Sequence, residues 1–200
     1  MQYVELDMLP TLVPKVTELM KSVNLGSRVA CAHLIILLSH HLGRSMEQYT
    51  GKFLLALVNG LLDRNATVRK TYASTIGQIV HTAKPTSMEK LVTKLSTWYF
   101  EKEDLNTRTA IGLTLQAIAQ YNGELLKEQF SIAIPLIFFA MHCQKIEGED
   151  NSHVEMWEEI WNEVTPGSEA GMKQHMSEIC KILEMALTSP SWKMKAQVRL

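Results

Sequence analysis

Phe53 to Ala83, FLLALVNGLLDRNATVRKTYASTIGQIVHTA, is the stretch on which the fold turns. It reads as two helices joined by a tight turn at Asp63-Arg64-Asn65. The first arm is apolar at Phe53, Leu54, Leu57, Val58, Leu61 and Leu62, with Leu55 and Ala56 filling in, so little of it is expected to face water. The second arm is apolar at Val68, Tyr72, Ile76, Ile79, Val80 and Ala83, steps that place one stripe along one helix face. Asn65 is positioned to cap the second helix. Two antiparallel helices of this kind cannot bury both apolar faces alone, so the pattern should recur along the chain.

It does recur. Arg28, Arg69 and Arg108 fall at spacings of 41 and 39 residues. Four residues after each stand Ala32, Ala73 and Gly112, all small. Seven after stand Ile35, Ile76 and Leu115, and ten after stand Leu38, Ile79 and Ile118. Lys195 can take the arginine place in a last unit, 87 residues after Arg108. A period of about 40 residues with two helices per period and no strand pattern is that of HEAT or armadillo arrays. The fold class expected is all-α, an α-solenoid of about five HEAT-like helix pairs. One solenoid segment, 1-200, divides into units at approximately 8-42, 46-83, 87-121, 124-164 and 168-200. The arginine of each second helix is expected to pair with an acid in the preceding turn, such as Asp63, Glu103 or Asp104.

Boundary signals place the helices. Met8 to Val23 carries the stripe Leu9, Leu12, Val13, Val16, Leu19, Met20 and Val23, with Pro14 implying a bend or a late start. Gly26 suits the end of that helix, and Ser27 to Leu42 forms the next. Ser45 is a plausible N-cap for the third. Asn122-Gly123 stops the helix that begins near Asn106. Gln144 to Ser152 reads as a long polar loop, and His153 to Val164 as a short helix carrying Trp157 and Trp161. A fifth unit opens at Ser168, and the chain stops at Leu200 inside WKMKAQVRL, which suggests a piece of a longer solenoid.

Composition excludes several classes. The chain is 46% hydrophobic and 20% charged, an ordinary globular balance. A formal net charge of -1 gives no global pull toward nucleic acid or an anionic membrane. Cys31, Cys143 and Cys180 are an odd, widely spaced set that fits a reducing compartment. The N-terminus lacks the basic start and apolar run of a signal peptide. The longest apolar run, Ile132 to Met141, falls short of the roughly 20 residues a membrane span needs. A soluble intracellular protein is expected, with no direct membrane insertion.

No chemistry-bearing motif emerges. His40-His41, His142-Cys143 and Cys180 match no zinc spacing. Cys31 and His33 stand two apart on a helix and cannot face each other. There is no phosphate loop, nucleophile elbow or paired-carboxylate motif. No catalytic, cofactor-binding or metal residue is assigned, and the protein is expected not to be an enzyme. Lys145 to Glu169 holds eight acids (Glu147, Glu149, Asp150, Glu155, Glu158, Glu159, Glu163 and Glu169) and one base, leaving 13 acids and 19 bases elsewhere. It reads first as a solvated face and second as a docking patch for a basic partner. Trp157 and Trp161 are core anchors, or hot spots if exposed. Lys and Arg elsewhere lack aromatic interleaving, which argues against nucleic-acid binding.

The strings VNGLLDRN, KLSTWYFEKED, PLIFFAMH, MWEEIWNEVTPGSEAG and TSPSWKMKAQ occur in this order. They resemble the C-terminal HEAT region of the proteasome-associated adaptor and scaffold family, from about Val13 to Gln197. Trp98 to Asp104, Trp157 to Gly167 and Ser191 to Gln197 are the telling parts. The resemblance implies a non-enzymatic scaffold that binds 26S proteasome subunits. It also implies linkage of core and regulatory particles and coupling to quality control, including ERAD. The implied location is the cytoplasm, with the nucleus and ER or endosomal compartments as further sites. The alternative is another HEAT scaffold, such as a transport receptor or a phosphatase subunit.

Overall fold

A computed structural model describes residues 6–142, 152–191 and 194–195. Among the described residues there are ten α-helices and no strand. They are α1 (Leu9–Leu19), α2 (Leu25–Leu42), α3 (Glu47–Gly60), α4 (Ala66–Ile79), α5 (Pro85–Glu101), α6 (Leu105–Lys127), α7 (Phe130–Met141), α8 (Ser152–Val164), α9 (Ser168–Gln174) and α10 (Met176–Thr188).

The helices form two layers. α2, α4, α6 and α8 pack side by side in one, and α1, α3, α5, α7 and α10 in the other. The layers face each other through the pairs α1–α2, α3–α4, α5–α6 and α7–α8. This is the expected α-solenoid. Each element touches mainly the helix it pairs with and the adjacent helices of its own layer, the hallmark of a one-dimensional stack.

Three helices of the even layer start in the same way. Asn24 Oδ1 accepts from the Ser27 N–H at 3.0 Å, Asn65 Oδ1 from Thr67 N–H at 2.8 Å, and Asp104 Oδ1 from Thr107 N–H at 2.9 Å. Each cap satisfies a backbone donor that has no partner within its helix. From there the aligned positions point inward: Ala32, Ala73 and Gly112, then Ile35, Ile76 and Leu115, then Leu38, Ile79 and Ile118 are all buried. Burying one such isoleucine contributes about 1.5–3 kcal/mol.

The small residues set the spacing. A Cβ added at Gly77 of α4 would lie 2.5 Å from the carbonyl carbon of Ala117 on α6. One added at Gly112 of α6 would lie 2.1 Å from the Met156 methyl and 3.1 Å from the Trp157 ring on α8. These helices approach with no room for another methyl group.

Several boundaries depart from the sequence expectation. α1 ends at Leu19, and both Leu19 and Val23 are exposed, because its last turn has no helix beside it on that side. Gly26 lies in the first turn of α2, where Asn24 is the cap. Ser45 caps nothing; Gly43 to Met46 forms a 3-10 turn entered at Gly43 with φ 49°, a conformation glycine takes without a Cβ clash. The first arm of the quoted stretch is not sealed from water, since Leu55 on α3 and Leu62 in the turn after it are exposed. The stop at Asn122-Gly123 does hold: Asn122 leaves helical geometry (φ -149°, ψ 48°), its side-chain N–H donates to Gly77 O at 2.6 Å, and only a short second helical piece of α6 follows it to Lys127. The region after Ser168 breaks at His175 into α9 and α10, leaving Met176, Met185 and Leu187 exposed. The polar loop assigned to Gln144–Ser152 lies outside the described residues except Ser152, which opens α8. Most of WKMKAQVRL also lies outside them.

The segment Leu25–Gly60, with mean hydropathy 1.2 in its most apolar window, is long and apolar enough to pass a membrane-span test. The 3-10 turn divides it, however, and its inward residues, Ile35, Leu38, Phe53 and Leu57 among them, join the core shared with the other helices.

Candidate functional site

The arginine ladder runs along the edge formed by the turns. Arg28 Nη1 donates to Ser22 O at 2.8 Å and Val23 O at 3.4 Å. Arg69 Nη1 donates to Asp63 O at 2.8 Å and Arg64 O at 3.0 Å, the same offsets along the chain. The expected pairing with an acid in the preceding turn is thus replaced by bonds to that turn's carbonyls, which the turn leaves without backbone partners. The remaining guanidinium face reaches forward. Arg28 Nε lies 3.4 Å from Asp63 Oδ2, and Arg69 Nη2 donates to Asn106 Oδ1 at 2.9 Å. Arg108 instead donates from Nε to Tyr99 O at 3.2 Å and stacks 4.6 Å from the Tyr99 ring centroid. Glu103 is not its partner in these bonds; that side chain accepts from the Ser191 hydroxyl at 2.5 Å. The ladder holds neighbouring helix pairs together and is structural.

Tyr72 belongs to the same joint. It is buried, with its hydroxyl 3.5 Å from Met20 O and 3.4 Å from Arg28 O. Burial pushes its phenol up to about 12. Asp104 is also shifted: burial opposes its ionisation, but the hydrogen bonds from Thr107 outweigh that and hold its carboxyl below the usual value.

The cysteines and histidines scatter. Cys31 is buried, and desolvation raises its thiol, so it is a poor nucleophile. Cys180 and His33 are exposed on α10 and α2. Cys143 lies outside the described residues. His40 stacks near His81 with ring centroids 6.2 Å apart, His41 is exposed, and His142 Nδ1 lies 2.8 Å from Phe138 O. Among the described residues no three His, Cys, Asp or Glu side chains gather as metal ligands would.

Helix α8 separates the two parts of the acidic segment. Trp157 and Trp161 point into the core, with the Tyr99 ring 5.6 Å from Trp157 and the Phe138 ring 5.7 Å from Trp161. They are anchors, not an exposed hot spot. Glu155, Glu159 and Glu163 stand on the opposite, exposed face at steps of four. Glu159 Oε2 accepts from Gln116 of α6 at 3.1 Å, and Glu169 pairs with Lys173 at 2.7 Å. Glu147, Glu149 and Asp150 lie outside the described residues.

The odd layer has openings that the sequence reading did not single out. One lies between α3 and α5 and another among α5, α7 and α10, the latter floored by Phe100, Ile132, Pro135 and Ile182. Beside the first, the Lys94 ammonium lies 4.6 Å and the Lys102 ammonium 5.8 Å from the Trp98 ring centroid. The sequence signal was there: Lys90, Lys94 and Trp98 follow one another at steps of four on one face of α5, and Lys102 stands just past its end.

Comparison with known proteins agrees with this architecture. Residues 1–100 match the family model described as the HEAT-repeat domain of the proteasome adapter and scaffold protein ECM29. The human proteasome adapter and scaffold protein ECM29 is 39% identical over 201 residues, covering 98% of this chain and 11% of that protein. The Drosophila melanogaster proteasome-associated protein ECM29 homolog is 42% identical over 197 residues, covering 98% of this chain and 10% of its own length. The Saccharomyces cerevisiae proteasome component ECM29 is 29% identical over 164 residues, covering 82% of this chain and 8% of its own length. The chain thus spans about a tenth of the length of the curated relatives it matches. Among solved structures, an engineered protein aligns with a TM-score of 0.49 and 16% identity over 93% of this chain and 77% of its own. A two-layer helical stack, a matching HEAT-repeat model over half the chain and relatives aligned through nearly all of it have one reading: the chain belongs to the ECM29 HEAT-repeat family.

Proposed function

We propose that this chain is a non-enzymatic scaffold segment that binds 26S proteasome subunits through its helix faces. The observation that carries the proposal is the relatedness, through 98% of the chain, to proteins named as proteasome adapters and scaffolds. The architecture suits the role. A stack of helix pairs presents long rows of side chains on rigid elements held by a continuous apolar core. In this reading the helix pairs act as five units, 8-42, 46-83, 87-121, 124-164 and 168-200, each holding its neighbours in register. The segment belongs to the C-terminal part of the longer solenoid. Linking core and regulatory particles, coupling proteasomes to quality control, and work in the cytoplasm and nucleus and at ER or endosomal compartments follow as further parts of the same proposal. Neither nucleic acid nor direct membrane insertion has a place in it.

The test is affinity purification of the tagged chain from cell extract with quantitative identification of what it retains. Enrichment of proteasome subunits over a tag-only control is expected. Recovery of transport cargo or a phosphatase without proteasome subunits would overturn the proposal and favour the other HEAT scaffolds.

A further inference from the structure

The opening between α3 and α5 is a slot with a defined chemistry. Leu54, Leu55 and Val58 of α3 and Leu91 of α5 line its apolar part, around a volume of about 250 Å³. Leu55 is 57% exposed there, unusual for a leucine on a helix otherwise packed into the core. One end is narrow: a Cβ on Gly51 would stand 3.2 Å from Ser87 Oγ across the gap. At the other end Lys94 Nζ donates to Asn59 Oδ1 at 3.1 Å.

The charged side chains on the lining are Lys90 and Lys94, and no carboxylate lines the slot. Neither lysine forms an ion pair among the described residues, whereas Lys127 and Lys173 each hold a glutamate at 2.7 Å. The Lys94 ammonium is held in place by Asn59 and by the Trp98 ring, and it needs only one of its three N–H groups for Asn59.

From this pairing of an aliphatic floor with two uncompensated cations, one of them held in place, we propose that the slot binds a short acidic segment of a partner protein. One or two aliphatic side chains of the segment fill the floor, and flanking Asp or Glu carboxylates meet Lys90 and Lys94. A nucleic acid would need aromatic stacking surfaces, and the lining has none. A basic segment would meet two like charges. The proposal deepens the scaffold reading, on which it rests, by naming the chemistry of one partner segment.

The experiment is selection of a displayed random library of 12-residue peptides on the immobilised 200-residue chain, then fluorescence anisotropy with the enriched peptides. Enriched sequences are expected to carry an excess of Asp and Glu together with Leu, Ile, Val or Met. Leu55→Asp and the double reversal Lys90→Glu/Lys94→Glu should each weaken binding about tenfold or more, and raising salt should weaken it further. Met185→Asp, in the separate groove among α5, α7 and α10, should leave it unchanged. All of these positions are exposed or half-exposed, and circular dichroism of each variant checks that the fold is kept. Enrichment of basic or uncharged sequences, binding indifferent to Leu55→Asp, or no enrichment over a blank surface would overturn the slot. Because the peptides are scored on the isolated chain, the slot can fail while proteasome recovery stands, and the reverse also holds.

Discussion

Replacing Gly77 with alanine sets two general effects against each other. In a helix interior, Gly→Ala usually stabilises by about 1 kcal/mol, since alanine loses less backbone freedom on folding. At Gly77 the added methyl would lie 2.5 Å from the carbonyl carbon and 2.5 Å from the Cβ of Ala117, and 2.7 Å from its carbonyl oxygen. Those are backbone atoms and a stub on α6, which no rotamer change can move aside. Relief requires α4 and α6 to separate, stretching the 2.6 Å bond from Asn122 to Gly77 O as well. Overpacking of this kind costs about 1–3 kcal/mol, occasionally more. With all three contacts on atoms that cannot rotate away, the upper part of that range, about 2–3 kcal/mol, applies; set against the gain of about 1 kcal/mol, the net loss is about 1–2 kcal/mol, or roughly 2–8 °C in Tm for a chain of this size. Gly123→Ala is the matched control: its new methyl meets nothing within 4 Å, and its φ is not in the left-handed region. It should be neutral or raise Tm by a few degrees, at most about 4 °C. Thermal and urea unfolding followed by circular dichroism at the helix band reads both. A Gly77→Ala protein as stable as the parent, beside a well-behaved Gly123→Ala, would refute the close α4–α6 contact.

Two further outcomes follow from the joints between helix pairs. Asn65→Ala removes the acceptor for the Thr67 and Val68 N–H groups and should lower stability by about 1 kcal/mol, whereas Asn65→Asp should retain most of it; equal losses in urea midpoint would show that the side chain does not cap α4. Tyr72 gives a pH dependence: its phenol is raised from 10.0 to about 12 by burial, so the folded state favours the neutral form. The stability that this supplies is complete below pH 10.0 and is lost as pH rises toward about 12. Urea midpoints of parent and Tyr72→Phe, compared from neutral pH into that window, should fall less steeply in the variant; parallel curves would count against burial of the hydroxyl.

Sequence periodicity made the solenoid legible because the even-layer helices repeat their inward positions almost identically. Arg28, Arg69 and Arg108 mark three registers, and the small, aliphatic and aliphatic positions that follow are buried in all three. The caps repeat too: Asn24, Asn65 and Asp104 each stand four residues before the arginine, a signal that was written in the sequence but read only at Asn65. What failed was of another kind. The arginine partners are backbone carbonyls of a turn, and carbonyls leave no residue-type signature. Asn122-Gly123, by contrast, has the composition of a stop and does break α6, and the bond from Asn122 to Gly77, 45 residues away, ties that break to α4. Leu55 and Leu62 look like core residues in a run of leucines, and only the placement of α1 and α5 beside α3 decides that both stay exposed.

The interaction surfaces were harder to read than the fold because they arise from differences between the two layers. Glycine at positions 77 and 112 lets the even-layer helices close to contact distance. The odd-layer helices α1, α3, α5 and α7 pack less closely on one another, and a two-layer stack drawn together along one layer opens along the other. The openings observed lie where this reasoning puts them, between α3 and α5 and among α5, α7 and α10. Their floors are core leucines, isoleucines and a phenylalanine left partly uncovered, so apolar contact comes from the repeat itself and is common to both. Discrimination must then come from the rim. Lys90 and Lys94 stand alone at the first, while Glu101, Glu178 and Lys181 mix both signs at the second. Rim charge sets which partner approaches and how strongly salt weakens it. Reversing the rim of the first with Lys90→Glu/Lys94→Glu should therefore shift the peptides it selects away from acidic sequences, and an unchanged acidic preference would refute a role for the rim.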